Sequence, residues 1–156
     1  MCIRDSGVAS AWGAGRRVSA GPSERIVRHR FADALAEPVS HYTDAVVAGG
    51  FVFISGSLAS DASGTLVGAR DVVAQTEQIF DNIETVLSRL GASLADVVKV
   101  VVYLTDIADR AAVNTVRERR FGEFRPTSTL VQVGALVDPD ARVEIEVIAL
   151  APASPS

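Results

Sequence analysis

Hydrophobic residues recur at steps of three and four between residues 71 and 90, and this spacing predicts an amphipathic helix with one stripe against a sheet. The positions of the stripe are Val72, Thr76, Ile79, Phe80, Ile83, Val86, Leu87 and Leu90. Gly91 follows directly, and we expect it to end the helix because glycine enters the left-handed conformation without a steric penalty.

A second helix is predicted over residues 109–121, with Asp109 as its N-cap. Val113 and Val116 mark its inner side. Three arginines, Arg117, Arg119 and Arg120, mark its charged side.

Between and around the helices, period-two and continuous apolar runs predict strands. Residues 42–48 and 51–55 form two such runs, joined by Gly49-Gly50, a strong signal for a two-residue hairpin. We expect both faces of the second run to be buried. Residues 97–104, VVKVVVYL, form a near-continuous apolar strand of the kind that is buried on both faces. Residues 23–38 fit either a short strand or an extended arm.

The predicted order is β-β-α-β-α-β-β, with two strands in the last stretch, residues 125–150. Helices of this length can cover one face of a mixed sheet, which describes a two-layer α+β domain. The other face of the sheet then needs a cover, so the pattern also predicts a homo-oligomer.

The last strand carries two glutamates on one face, because Glu144 and Glu146 alternate with apolar residues. Carboxylates two residues apart on a strand lie about 7 Å from each other, so the pair suits either general acid/base work or a solvated surface. Ile148 and Leu150 continue the same face, which indicates that a partner subunit covers part of it.

The length of 156 residues favours a single domain, which we place at residues 23–150. Residues 1–22 mix Gly, Ala, Ser and Arg without periodicity, so we expect a disordered or non-native leader. Residues 151–156 are a short C-terminal tail. No apolar run is long enough for a membrane span, so we expect no membrane partner.

Cysteine and histidine are scarce. Cys2 is the one cysteine and cannot form an internal disulfide, which is consistent with a cytoplasmic location. His29 and His41 lie apart from each other, so no zinc-type spacing exists and we expect no metal; we assign no role to His41.

The charge is uneven along the chain, whose formal net charge is -4. Residues 1–41 hold six arginines and four acidic residues, which leaves nine basic and fifteen acidic residues in the rest. Lys99 is the one lysine, and no basic stripe interleaves with aromatic residues. We therefore expect no nucleic-acid partner.

Four stretches, HYTDAVVAGGFVFISG, DVVAQTEQIFDNIETVLSRLGASLADVVKVVVYLTDIADRAAVN, RPTSTLVQV and VEIEVIAL, together resemble the Rid family, also called the YjgF family. The match runs from residue 40 to residue 150 without large gaps. It implies a chorismate-mutase-like α+β fold and a homotrimer with clefts between its subunits. It also implies a hydrolase that deaminates small imine or enamine metabolites, such as iminopropanoate and iminobutanoate, without a metal or other cofactor.

The resemblance also implies a set of site residues. Glu144 matches the glutamate that positions the attacking water, whereas Glu146 remains structural. The substrate-binding positions it implies are Tyr42, Ser55, Gly56, Asn114, Ser128 and the backbone N–H of Leu130. Tyr42 fits ligand stacking and interface packing equally well, whereas for Asn114 a structural hydrogen bond is favoured over a ligand contact.

The chain departs from the family at Ser128, where the deaminases carry an arginine two residues after the proline. An arginine fork holds a carboxylate through two charge-assisted hydrogen bonds, and losing it costs about 2 to 4 kcal/mol of binding. Arg125 is a candidate for compensation.

Three functions remain open on the sequence. The first is a deaminase with an altered substrate range. The second is a non-catalytic, stress-protective module that binds a small metabolite. The third is an RNA-acting translation inhibitor, against which the acidic, lysine-poor body counts.

Overall fold

The computed structural model describes residues 26–152. The expected leader, residues 1–22, and the end of the expected tail, residues 153–156, lie outside that range. The strands and helices are β1 (Val27–His29), β2 (Ala45–Ala48), β3 (Phe51–Ser57), α1 (Val72–Arg89), β4 (Val97–Leu104), α2 (Arg110–Phe121), β5 (Thr127–Gln132) and β6 (Val143–Leu150). Residues 23–25 of the ambiguous segment 23–38 lie outside the described range, and within residues 26–38 the strand is the three-residue β1. No helix within residues 26–152 is long and apolar enough to cross a membrane.

The strands form one six-stranded sheet in the order β1-β2-β3-β6-β4-β5. β4 and β5 run parallel and every other pair is antiparallel, so the sheet is mixed, as predicted. The inward residues of β6, such as Val143 and Ile145, are fully buried in one cluster with Ile79 and Phe80 of α1 and Val113 of α2. Both helices therefore cover the same face, which confirms the two-layer α+β prediction.

Helix α1 begins and ends where the sequence indicates. The Asp71 carboxylate accepts hydrogen bonds from the N–H groups of Val73 (3.0 Å) and Ala74 (3.1 Å), which caps the first turn. Gly91 has φ +76° beyond the last turn, and its N–H donates to the Ser88 carbonyl. The predicted glycine stop is confirmed.

The start of α2 corrects one prediction. Asp109 stands at the N-cap position, but its side chain accepts no capping hydrogen bond. It instead receives two from Arg142, Nε to Oδ2 at 2.8 Å and Nη2 to Oδ1 at 2.9 Å. The two charges attract more strongly than a capping amide does, so the carboxylate ties α2 to the chain just before β6.

The β2–β3 hairpin turns through Gly49 (φ +57°) and Gly50 (φ +81°), as predicted. One face of β3 is buried through Val52 and Ile54. On the other face Phe51 and Phe53 are 38% and 41% exposed in the single chain. The expectation that both faces of β3 are buried is thus met on one face only. Both helices cover the face of Val52 and Ile54, and no element of the described residues covers the other face.

β4 differs from β3, because Val101 on the face away from the helices is buried and exposure is confined to the start of the strand. Val100, Val102 and Leu104 face the helices and are fully buried, whereas Val98 and Lys99 near the start of the strand are exposed. The prediction of burial on both faces is therefore wrong for the first part of this strand.

Candidate functional site

Glu144 lies near the start of β6, on the sheet face away from the helices. It is the register partner of Tyr103 on β4, and its side chain is half-buried. Gly56 of β3 lies directly beneath its carboxylate, because a Cβ built on Gly56 would overlap Glu144 Oε1 and lie 3.0 Å from Cδ. The absence of a side chain at residue 56 is what gives the carboxylate its place.

The electrostatic surroundings of Glu144 favour its protonated form. Burial raises the pKa of Glu144, and the negative charge of Glu146 two residues along the strand adds to the rise. No hydrogen bond within residues 26–152 offsets these effects. The pKa of Tyr103 is raised as well, first by burial and then by the charges of Glu146 and Glu144. A carboxylate of this kind accepts and returns a proton more readily near neutral pH than a solvated one.

The chain that leads into β6 is held in place by a buried amide. Gln75 of α1 is fully buried, and its Oε1 accepts from the Arg142 N–H at 2.8 Å. Its Nε2 donates to the Asp140 carbonyl at 3.0 Å. Together with the Asp109–Arg142 pair, these contacts fix the position at which β6 begins and therefore the position of Glu144.

Three of the expected substrate-binding residues share a small cavity of about 120 Å³, which is lined by Tyr42, Ser55 and Gly56 among others. Tyr42 is 47% exposed. The Ser55 hydroxyl donates to the Thr43 carbonyl at 2.6 Å, so its proton serves to hold β3 against the segment before β2. Ser55 retains its lone pairs for a ligand, but its donor is used within the chain.

Asn114 and Ser128 form a second group, on the helix side of the sheet edge. Arg117 of α2 joins them: its Nη1 donates to Asn114 Oδ1 at 3.0 Å, and its Nη2 donates to Ser128 Oγ at 2.7 Å. A guanidinium therefore lies against the residue at which the family resemblance expects one, although it comes from a helix and not from the strand.

The backbone of Leu130 lies on β5, at the same edge of the sheet as Ser128. β5 pairs only with β4 among the described strands, so its other side is open. The Val133 N–H donates to the Leu104 carbonyl of β4. Because successive N–H groups of a strand point to opposite sides, the Leu130 N–H points away from β4 to the open edge.

The two groups lie on opposite faces of the sheet. Ser128 and Leu130 pair in register with Val100 and Val102, which face the helices, whereas Glu144 pairs with Tyr103 on the other face. A single chain brings Glu144 against Gly56, and Gly56 also lines the Tyr42 cavity, which Glu144 itself does not line. Separately it brings together Asn114, Arg117 and Ser128. It does not bring the two groups to one cavity.

Arg117 is the site neighbour that the sequence pattern did not reveal. Its helical position marks it as part of a solvated, charged side, and only the contact with a strand eleven residues away identifies it. Arg125 and His41 are exposed. Arg125 lines an open groove with Asn114 and Arg117. Residues 26–152 contain no cluster of three or more His, Cys, Asp or Glu side chains that could hold a metal ion.

Comparison with known proteins agrees with this architecture. A family model described as Endoribonuclease L-PSP matches residues 32–151. The solved structure of RidA from an Antarctic Psychrobacter species superimposes with a TM-score of 0.72 and 39% identity, over 78% of this chain and 96% of that one. The chain belongs to the Rid family. The expected chorismate-mutase-like α+β fold is thereby confirmed.

The chain aligns with most of the length of two relatives. A RutC family protein of Pyrococcus abyssi is 37% identical over 119 residues, which are 76% of this chain and 93% of the relative. The 3-aminoacrylate deaminase RutC of Acinetobacter baylyi is 40% identical over 112 residues, 72% of this chain and 88% of the relative. The Rid family thus includes a deaminase at this level of similarity.

Proposed function

We propose that this Rid protein is a cofactor-free hydrolase that deaminates small imine or enamine metabolites to a carbonyl compound and ammonia. The observation that carries the proposal is the Glu144 carboxylate. It is half-buried, its pKa is raised, and it lies over a glycine that leaves it room. The deaminase of Acinetobacter baylyi supports the same reaction class.

Glu144 acts on the water in this scheme. Its carboxylate accepts a proton as the water oxygen bonds to the imine carbon, and the imine nitrogen takes up a proton from the solvent to give a carbinolamine. Glu144 then returns its proton to the nitrogen while the carbinolamine hydroxyl releases its own proton to the solvent. The C–N bond breaks, ammonia leaves, and the carbonyl forms. Net consumption is one water for each imine.

The complete cleft forms between two copies of the chain in a homotrimer. This part of the proposal rests on the separation of Glu144 and Ser128 across the sheet, since a neighbouring copy is needed to bring one group to the other. The face that carries Glu144 also exposes Phe51, Phe53 and Leu150, which are 38%, 41% and 47% exposed. An apolar face of this kind suits contact with a second copy.

The substrate range differs from that of the arginine-bearing deaminases. Serine at position 128 offers a neutral hydroxyl in place of a fork, and in this chain that hydroxyl already accepts from Arg117. The group that would hold a substrate carboxylate near Ser128 is therefore altered, whereas Glu144, the residue that acts on the water, is retained.

Ammonia release from iminopropanoate, iminobutanoate and 3-aminoacrylate, each generated in situ, tests the proposal. We expect turnover by the wild type and a loss of about 100- to 10,000-fold in Glu144→Ala, the usual range for removing a general base. Glu123→Ala, which removes an exposed glutamate beyond α2, is the matched control and should retain full activity. Full activity in Glu144→Ala would refute the role of the carboxylate.

The same assay decides between this function and a non-catalytic metabolite-binding, stress-protective module, the alternative that serine at position 128 favours. A wild-type protein that binds a small 2-oxo acid but releases no ammonia from any of the three substrates would be a binding module.

A further inference from the structure

Arg117 differs from the other partly buried arginines of residues 26–152. Arg30 pairs with Asp44, Arg142 pairs with Asp109, and Arg120 pairs with three carboxylates of α1. Arg117 is half-buried on α2, yet its two hydrogen bonds go to the neutral oxygens of Asn114 and Ser128. No carboxylate within residues 26–152 lies within ion-pair distance of it.

This arrangement leaves a positive charge partly desolvated without an anion from the described chain. The Nε atom of Arg117 is buried and has no hydrogen-bond partner among the described residues. Burial lowers the pKa of Arg117, and no acidic neighbour within residues 26–152 offsets the effect. A partly buried cation is costly unless it is paired, so a bound anion would remove that penalty.

The location of the guanidinium indicates what kind of anion fits. It lies against Ser128 at the open edge of β5, where the Leu130 N–H also points outward. The groove beside it is lined by the amide of Asn114 and the apolar surfaces of Phe124 and Pro126, and also by a second cation, Arg125, and one carboxylate, Glu118. A planar guanidinium and an outward backbone N–H together suit a small carboxylate with a short apolar substituent.

We propose that Arg117 supplies the guanidinium that holds the carboxylate of a small 2-oxo or 2-imino acid at the β5 edge. It acts in place of the arginine that related deaminases carry at the position of Ser128. The inference rests on the proposed function, because that function sets the class of substrate and the cleft in which it binds. Ser128 is then a positioning residue, because its hydroxyl orients Arg117 and its small size leaves space for the guanidinium.

Pyruvate is the probe, because it is the product expected from iminopropanoate and it binds without any turnover. Pyruvamide, in which a neutral amide replaces the carboxylate, is the matched ligand. Calorimetry or ligand-observed NMR on the full chain should show that the wild type binds pyruvate more tightly than pyruvamide. Arg117→Gln should weaken pyruvate binding about 10- to 100-fold and remove the preference over pyruvamide.

Two further variants separate binding from a purely structural role of Arg117. Arg117→Gln combined with Ser128→Arg moves the guanidinium to the strand and should recover most of the lost pyruvate affinity. Arg110→Gln removes an exposed arginine of the same helix and should leave the affinity unchanged. If Arg117 only ties α2 to β5, Arg117→Gln would lower the melting temperature but bind pyruvate as well as the wild type does.

Equal pyruvate affinity in the wild type and in folded Arg117→Gln overturns the proposal, and so does a wild type that does not discriminate pyruvate from pyruvamide. The outcome is separable from that of the deaminase assay. Pyruvate binding that depends on Arg117, without ammonia release from any imine, would sustain this inference and refute the hydrolase. Ammonia release by the wild type, with a KM that Arg117→Gln leaves unchanged, would support the hydrolase and refute the role of Arg117.

Discussion

Gly56→Ala perturbs the candidate site by a single methyl group. The new Cβ would overlap Oε1 of Glu144 and lie 3.0 Å from its Cδ and 3.4 Å from its Cγ. Carbon atoms pack at about 3.5 to 4.0 Å, so the carboxylate must retreat by about 1 Å. A misplacement of that size lowers a rate about 100-fold when the displaced group acts on the reacting atoms.

The stability of the variant gives a second measure of the same contact. Overpacking of this kind costs about 1 to 3 kcal/mol, measured as the change in the free energy of unfolding in denaturant. In a Glu144→Ala background there is no carboxylate to displace, so the cost of Gly56→Ala should nearly vanish. The double-mutant cycle therefore assigns the strain to this one pair and does not depend on any activity.

Gly134→Ala is the matched control. Gly134 has no positive φ, and a Cβ built on it would meet nothing within 4 Å. It should leave both the deamination rate and the free energy of unfolding close to those of the wild type. A folded Gly56→Ala variant with wild-type turnover of iminobutanoate would refute the claim that the position of the Glu144 carboxylate governs the reaction.

Three further predictions concern pH, stability and assembly. Removing the negative charge in Glu146→Gln should lower the pKa of Glu144, so the acid limb of the pH profile of kcat/KM should move to lower pH; no movement would mean that the two carboxylates are not coupled. The folded state raises the pKa of Glu144 and so disfavours its charged form, which means that stability is lost as the pH rises through that pKa. Glu144→Gln should therefore melt at a higher temperature than the wild type at neutral pH, with a difference that shrinks as the solution is made acidic; an unchanged melting temperature at neutral pH would contradict the raised pKa. Light scattering should detect a trimer that Phe53→Lys dissociates and Val73→Lys, a change at an equally exposed residue of α1, does not; a wild-type monomer would contradict the cleft between copies.

Local periodicity was sufficient for most of the fold. The stripe of α1 and its Gly91 stop are both set by neighbours within one or two turns, so the sequence predicts them well. The same holds for the alternation along β6, which places Glu144 on a different face from the buried valines. Such features depend on contacts between residues that are close in sequence.

The failures share a long-range cause. Asp109 has the type and position of a cap, but its carboxylate is taken by Arg142, 33 residues later. Arg117 has the periodicity of a solvated residue, but β5 returns beside it and supplies Ser128. Periodicity tells which side of a helix a residue is on and does not tell what a later strand places there.

Glu144 and Arg117 lie on opposite faces of the sheet, and this separation predicts that variants of the two residues complement each other genetically. If each cleft takes its carboxylate from one subunit and its guanidinium from the next, a version without the carboxylate and a version without the guanidinium can complement each other. Glu144→Ala and Arg117→Gln subunits, mixed equally and allowed to exchange, would rebuild intact clefts in about a quarter of cases. A cell carrying both defective copies would then have more activity at low substrate concentration than a cell carrying either copy alone.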